Sequence, residues 1–247
     1  MIKDVIHRSF RAFGLDLVRY RDYKNEVPPD FREDETAIFR YVRPWTMTTP
    51  ERIYALIHAV RYLTTNRIPG AIVECGVWKG GSMAAVAKTL IEAGDPRRDL
   101  YLFDTFEGLP APSSSDIDYS GKTAAEVIAA DSAYLCIAPL ETVRTVMDST
   151  GYPTERIHYV QGKVEETLPG KAPECISLLR LDTDWYESTK HELAHLFPRV
   201  SRNGVIIIDD YGHWAGSRKA CDEYFSEQRV PILLNRIDYS GRMGLKP

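Results

Sequence analysis

The chain has 247 residues, with 35 acidic and 31 basic side chains and a formal net charge of −4. Its 44% hydrophobic content, with 14 Tyr, 8 Phe and 4 Trp, is too apolar and aromatic for a disordered chain and suffices for one large core. The mild negative charge supplies no field for a polyanion, so nucleic acid is excluded as a default partner. No run approaches the roughly 18–20 apolar residues of a membrane span. The opening stretch, MIKDVIHRSFRAFGLDLVRY, breaks its apolar runs with charges and reads as a docking helix rather than a signal peptide. Cys75, Cys136, Cys175 and Cys221 are scattered without a CxxC pair, which suits free thiols in a reducing, cytoplasmic setting. Cys75 and Cys175 fall in apolar runs that read as buried strands.

In chain order, residues 1–45 are interrupted by Pro28, Pro29 and an acidic stretch, and read as an N-terminal extension that offers a surface to a second subunit. One α/β domain follows over 46–247. Thr49 and Pro50 predict a helix start, with Ile53, Leu56, Ile57, Val60 and Leu63 on one face. Strands are predicted at 71–75, 100–103, 157–160, 176–181 and 205–208, and helices at 82–93, 124–130, 140–150, 187–197 and 217–228. Residues 107–152 form a long Pro/Ser/Asp-bearing insertion of the kind that covers sites. After residues 231–235, the tail 236–246 turns at Tyr239-Ser240-Gly241 and returns as a hairpin. Strands separated by helices predict a mainly parallel sheet covered on both faces.

In such a sheet ligands bind beyond the carboxyl ends of the strands. After the first strand comes Glu74-Cys-Gly-Val-Trp-Lys-Gly-Gly-Ser82, a glycine loop opening a helix whose N-terminus favours an anionic group. It is neither a Walker loop nor the dinucleotide pattern, and alone it is equally well a structural turn. The second strand ends in Asp104, placed to accept both hydroxyls of a ribose; its plainer reading is a turn residue. The fourth strand ends in Asp182-Thr183-Asp184 and the fifth in Asp209-Asp210. Carboxylates converging at neighbouring strand ends suit a hard cation such as Mg²⁺ and are difficult to accommodate without one.

The ordered set WTMTTPERI, ECGVWKGGS, FDTFEGLP, LLRLDTDWYEST and IIIDDYGHW closely resembles the macrocin-type (TylF-type) O-methyltransferases over about residues 45–235. Those are bacterial enzymes, dependent on S-adenosylmethionine and a metal, that methylate sugar hydroxyls of natural products. More distantly the chain is similar to catechol O-methyltransferases. The resemblance implies a three-layer α/β sandwich of class I methyltransferase type, Rossmann-like, with five parallel strands and a C-terminal antiparallel hairpin. It implies a small-molecule glycoside or deoxysugar acceptor. Glu74, Gly76 and Ser82 would line the methionine end of the cofactor, Asp104 would hold its ribose, and the Gly162, Val164 and Glu165 segment would border its adenine. Met47 and Thr48 would close over it. Asp182, Asp209 and Asp210 would hold Mg²⁺ or another divalent cation, with Asp182 also reaching the cofactor. Catechol-type enzymes carry a lysine base three positions after the first metal aspartate, where this chain has Trp185. The base is therefore Asp184, His213 or Asp182, and Tyr186 and Trp214 are either acceptor-wall aromatics or core.

One motif points elsewhere. His191-Glu192-Leu193-Ala194-His195 matches the H-E-x-x-H zinc protease signature on a predicted helix. Leu193, Leu196 and Phe197 occupy the opposite face, which turns the histidines toward solvent, and Pro198 and Ser201 break the longer metzincin pattern. A zinc protease and a nicotinamide-dependent oxidoreductase are the alternatives; the second would share the nucleoside-binding half without needing the aspartate cluster.

Overall fold

The computed structural model describes residue 6, residues 9–15 and residues 27–247. The expected docking helix, and the second subunit it would meet, fall mostly outside the described residues. Among them, seven strands form one sheet of order β3-β2-β1-β4-β5-β7-β6, with β1 Ala71–Cys75, β2 Leu100–Asp104, β3 Ile157–Gln161, β4 Ile176–Leu181, β5 Val200–Ile208, β6 Asn235–Arg236 and β7 Arg242–Leu245. The first five run parallel, β7 pairs antiparallel with β5, and β6 with β7. The chain moves outward from β1 to β3 and then crosses back to β4, so the switch point, where a crevice opens, lies between β1 and β4.

The helices are α1 Glu33–Val42, α2 Pro50–Thr65, α3 Gly81–Glu92, α4 Ala124–Ala130, α5 Leu140–Ser149, α6 Val164–Thr167, α7 Tyr186–Leu196 and α8 Ala215–Glu227. Strand residues alternate between two cores. Ile72, Leu100, Leu102, Leu178 and Val205 meet the apolar faces of α1, α2, α3 and α5, whereas Val73, Leu179, Leu181, Ile206 and Ile208 meet Leu193 and Leu196 of α7 and Phe225 of α8. Both faces being covered explains why β4 is buried at all six positions and is apolar apart from Ser177 and Arg180. Local signals set the boundaries. Thr49 accepts the Arg52 N–H as N-cap of α2 with Pro50 in its first turn, and Thr123 and Glu126 form a capping box on α4.

Two expectations change, on the acidic stretch and on Cys175. The acidic stretch assigned to the extension is the first turn of α1, where Glu33, Asp34 and Glu35 suit the positive end of a helix. Ile38, Phe39 and Val42 of that helix are buried in the main core. Of residues 231–235 only Asn235 joins a strand; Ile232 and Leu234 pack sideways onto the second core. Cys175 is exposed, because it lies in the turn before β4, while Cys75 is buried and all four cysteines are free. The 107–152 segment is tied over the strand ends by a bridge from Asp118 to Trp214 in the loop after β5.

Candidate active site

A cavity of about 450 Å³ opens at the carboxyl ends of the strands, across the switch point. Every residue expected at the site borders it except Glu74.

At one end lies the glycine loop. A Cβ on Gly76, whose φ is +80°, would sit 1.8 Å from the Asp182 carbonyl oxygen, so only glycine lets the β1 and β4 loops meet. Asp104 braces this loop: Oδ2 accepts the N–H groups of Val77 (2.6 Å) and Trp78 (3.0 Å), and Oδ1 accepts that of Phe106 (2.7 Å). The Thr105 hydroxyl makes a longer contact to Oδ1 (3.5 Å), so of the roughly four acceptor sites of a carboxylate at most this weakly used one is left for a ligand hydroxyl, rather than the pair expected from the sequence. Ser82 opens α3 nearby, while Gly162 and Val164 form the wall after β3. Met47 and Thr48 cover this end in a strap before α2, with the hydroxyls of Thr46 and Thr48 hydrogen-bonded at 2.9 Å. Glu74 lies behind the loop, 1% exposed, with Oε1 on Arg180 and Oε2 unpartnered. Burial pushes it up to about 7 against the pull of Arg180.

At the other end, Asp182, Asp209 and Asp210 offer carboxylate oxygens that all lie within 4.8 Å of one another, the one group of this kind among the described residues. Two arginines that the sequence reading missed partly neutralise it. Arg180 Nη1 lies 2.7 Å from Asp182 Oδ2 and its Nη2 donates to Asp209 Oδ1 at 2.6 Å. Arg52 donates through Nη1 to Asp209 Oδ2 and through Nε to Asp238 Oδ2 at 2.8 Å. Burial opposes the charge on Asp209, yet the two guanidinium groups outweigh it and hold its carboxyl below the usual range. The premise that the carboxylates need a metal counter-ion is thus corrected: part of the compensation is built in. The balance is still negative. Burial pushes Asp182 well above the ordinary carboxylate range against the pull of Arg180, and burial with the neighbouring acids does the same for Asp210. The cluster fits a divalent cation, since Asp182 and Asp210 each keep an oxygen free of arginine and the donors are all hard.

Asp184 adjoins this cluster in a left-handed conformation, φ +64°, that a non-glycine residue adopts only when held. Its N–H donates to Asp210 Oδ2 (3.1 Å) and its Oδ1 accepts Trp214 Nε1 (2.7 Å). Burial, reinforced by Asp182, pushes its carboxyl up to about 7. His213 stands farther out in an aromatic rim. Its Nδ1 lies 3.1 Å from the Tyr239 hydroxyl, and its ring centroid is 5.3 Å from that of Tyr119, which is 71% exposed. Burial lowers the His213 pKa. Trp214 borders the cavity, whereas Tyr186 turns away and donates to Glu223. Tyr119 and Tyr239 were not expected here; nothing in their local sequence places them at the rim. Arg180 carried a signal, as a lone charge inside an apolar strand, and Arg52 carried none.

The H-E-x-x-H stretch lies on α7 on the covered side of the sheet. Glu192 is fully buried, and the two histidine rings, 4.4 Å apart, are half-buried rather than turned to solvent as expected. No third ligand joins them among the described residues.

A family described as macrocin-O-methyltransferase (TylF) matches residues 3–243. The chain is 32% identical over 196 residues, 79% of this chain and 73% of the other, to 8-demethyl-8-(2,3-dimethoxy-alpha-L-rhamnosyl)-tetracenomycin-C 4'-O-methyltransferase of Streptomyces olivaceus. It is 30% identical over 198 residues, with the same coverage of 79% and 73%, to demethyldecarbamoylnovobiocin O-methyltransferase of Streptomyces niveus. Among solved structures, the O-methyltransferase NovP superposes with a TM-score of 0.73 at 24% identity, covering 98% of this chain and 97% of that one, which shows a shared fold. Among the described residues no helix is long and apolar enough to cross a membrane.

Proposed function

The chain belongs to the macrocin-O-methyltransferase (TylF) family and is an S-adenosylmethionine-dependent O-methyltransferase, and from that premise we propose that its acceptor is a sugar hydroxyl of a natural-product glycoside. The observation that carries this reading is a single cavity joining the Gly76–Asp104 loops to the three-aspartate cluster. The name of the tetracenomycin relative, which specifies a rhamnosyl group, supports a sugar acceptor.

S-adenosylmethionine supplies an electrophilic methyl group on sulfonium. Asp182, Asp209 and Asp210 would hold a divalent cation, which would supply Lewis acidity toward an acceptor hydroxyl. Around these, the chain binds, orients and excludes water. Gly76 and Ser82 receive the methionine end, Asp104 accepts one ribose hydroxyl, Gly162 and Val164 border the adenine, and Met47 and Thr48 close the strap. Asp184 takes the acceptor proton on Oδ2, because Trp214 occupies Oδ1 and a carboxyl titrating near 7 is matched to that task. His213, Tyr119 and Tyr239 bear on the sugar's apolar face, so His213 is a wall residue rather than the base. The bridge from Asp118 to Trp214 holds the 107–152 segment over the reacting atoms and keeps water out.

The test is methyl transfer to a panel of glycosides in chelator and in titrated Mg²⁺. Asp210→Asn is preferred to an Asp209 variant, since Asp209 also neutralises two arginines. It is expected to raise the Mg²⁺ requirement while leaving cofactor affinity alone. Asp184→Asn is expected to lower kcat by about 10²–10³. Full activity in chelator overturns the cation's role, and a wild-type rate in Asp184→Asn passes the base to His213 or Asp182.

A further inference from the structure

Glu192 is buried to 0% exposure on α7, at the centre of the stretch that resembles a zinc site and holds none of its geometry. A helix covering a sheet needs apolar residues there, as Leu193 and Leu196 provide. A carboxyl in that position costs free energy unless something compensates it. Among the described residues the side chains acting on it are acids, thiols and one hydroxyl, with no guanidinium or ammonium group: Thr183, Glu165, Asp210 and Asp182, with the buried Cys75 and Cys221 beside them. Its Oε2 accepts the Thr183 hydroxyl at 3.2 Å, and its Oε1 has no partner.

Thr183 lies between Asp182 and Asp184, in the turn where the backbone is strained at Asp184. That turn is anchored on its cavity side by Asp210 and Trp214, which hold Asp184. At its start the Asp182 N–H donates to the Cys75 carbonyl (2.9 Å), and at its end the Trp185 N–H closes on the Thr183 carbonyl (2.7 Å). Thr183 borders the cavity as well, and its hydroxyl ties the turn to Glu192 on the helix that covers the sheet.

We infer that Glu192 is a positioning residue for methyl transfer, holding the Thr183 hydroxyl so that Asp182 and Asp184 keep their carboxyl groups in the cavity. This rests on the roles proposed above for those two aspartates. Burial, with the acidic neighbours, drives the Glu192 carboxyl well above the ordinary range, and glutamine keeps its volume and an oxygen that can accept the Thr183 hydroxyl.

Four variants test the assignment: Glu192→Leu, Glu192→Gln, Thr183→Val and the Leu/Val double. Glu192→Leu is expected to fold with an unreduced Tm, because an apolar side chain suits the site, yet to lose the turn. Amide exchange at Asp184, Trp185 and Tyr186 should accelerate by about tenfold or more while exchange in the strands stays constant. The kcat should fall by about tenfold with S-adenosylhomocysteine affinity within about twofold of wild type. Glu192→Gln should restore both readouts. Thr183→Val should reproduce the Leu phenotype, and the double variant should be no worse than either single one.

Unchanged exchange at the turn in Glu192→Leu or, should that variant not fold, in Thr183→Val overturns the inference, as do additive losses in the double. Exchange needs no acceptor. A wild-type chain that methylates no glycoside but whose turn loosens in these variants would overturn the substrate reading and leave the anchor standing.

Discussion

The two ends of the cavity satisfy their carboxyl groups in different ways. At the glycine loop, Asp104 is satisfied by main-chain N–H groups from residues close to it in space and fixed by the β1 and β2 turns. At the aspartate cluster, Asp209 is satisfied by guanidinium groups brought from α2 and from the interior of β4. A subsite made from backbone follows once the strands pair. A subsite made from buried ion pairs depends on side chains far apart in sequence, and losing one leaves charges stranded in a medium that cannot solvate them. Removing the carboxylate at the first end should therefore cost less stability than removing an ion-pair partner at the second.

The largest effect expected is at Arg180. Arg180→Met strands Glu74, Asp182 and Asp209 together and should cost about 3–5 kcal/mol in urea unfolding, as does breaking a buried pair elsewhere. A variant as stable as wild type would show that the acids protonate at little cost and would erase the contrast. Asp104→Ala frees the loop N–H groups of Val77, Trp78 and Phe106 and should lower the Tm, though by less than Arg180→Met does, while S-adenosylhomocysteine affinity, read by calorimetry, falls by roughly ten- to a hundredfold, about 1.5–3 kcal/mol. Should Tm fall as far as in Arg180→Met, the backbone-made end is no more tolerant than the other. The smallest effect is expected at the half-buried histidines of α7. Replacing His191 and His195 together with alanine should alter methyl transfer by no more than about twofold, since they touch neither end. Release of bound zinc from the wild-type protein, absent in that double variant, would return the protease motif to consideration.

Much of this was legible in the sequence. The strands announced themselves because two-sided burial leaves apolar runs such as residues 205–208, and the start of α2 did so because Thr49 and Pro50 are chemically specific there. The residues after each strand converged at one rim because topology alone sends them there. What stayed hidden was set by long-range pairing. Arg52 is an ordinary helix residue until Asp209 and Asp238 are placed beside it. Glu74 sits in the expected loop but turns to Arg180, since side-chain direction there follows the pleat of β1 against β4. The helical pattern around His191 suggested an exposed face, and the periodicity of α7 could not reveal that Glu192 has a hydroxyl to meet on the covered side.

The contact between Gly76 and the Asp182 carbonyl bears on how such an enzyme can be re-tailored. Two loops locked backbone to backbone leave no slack, so a bulkier residue at 76 would displace donor and acceptor sites together rather than widen either. Libraries aimed at new acceptors are best confined to the aromatic rim, at Tyr119 and Tyr239, where side chains project without bracing another segment's main chain. The frame would then serve as an invariant chassis, and acceptor range would be varied by changing the rim alone.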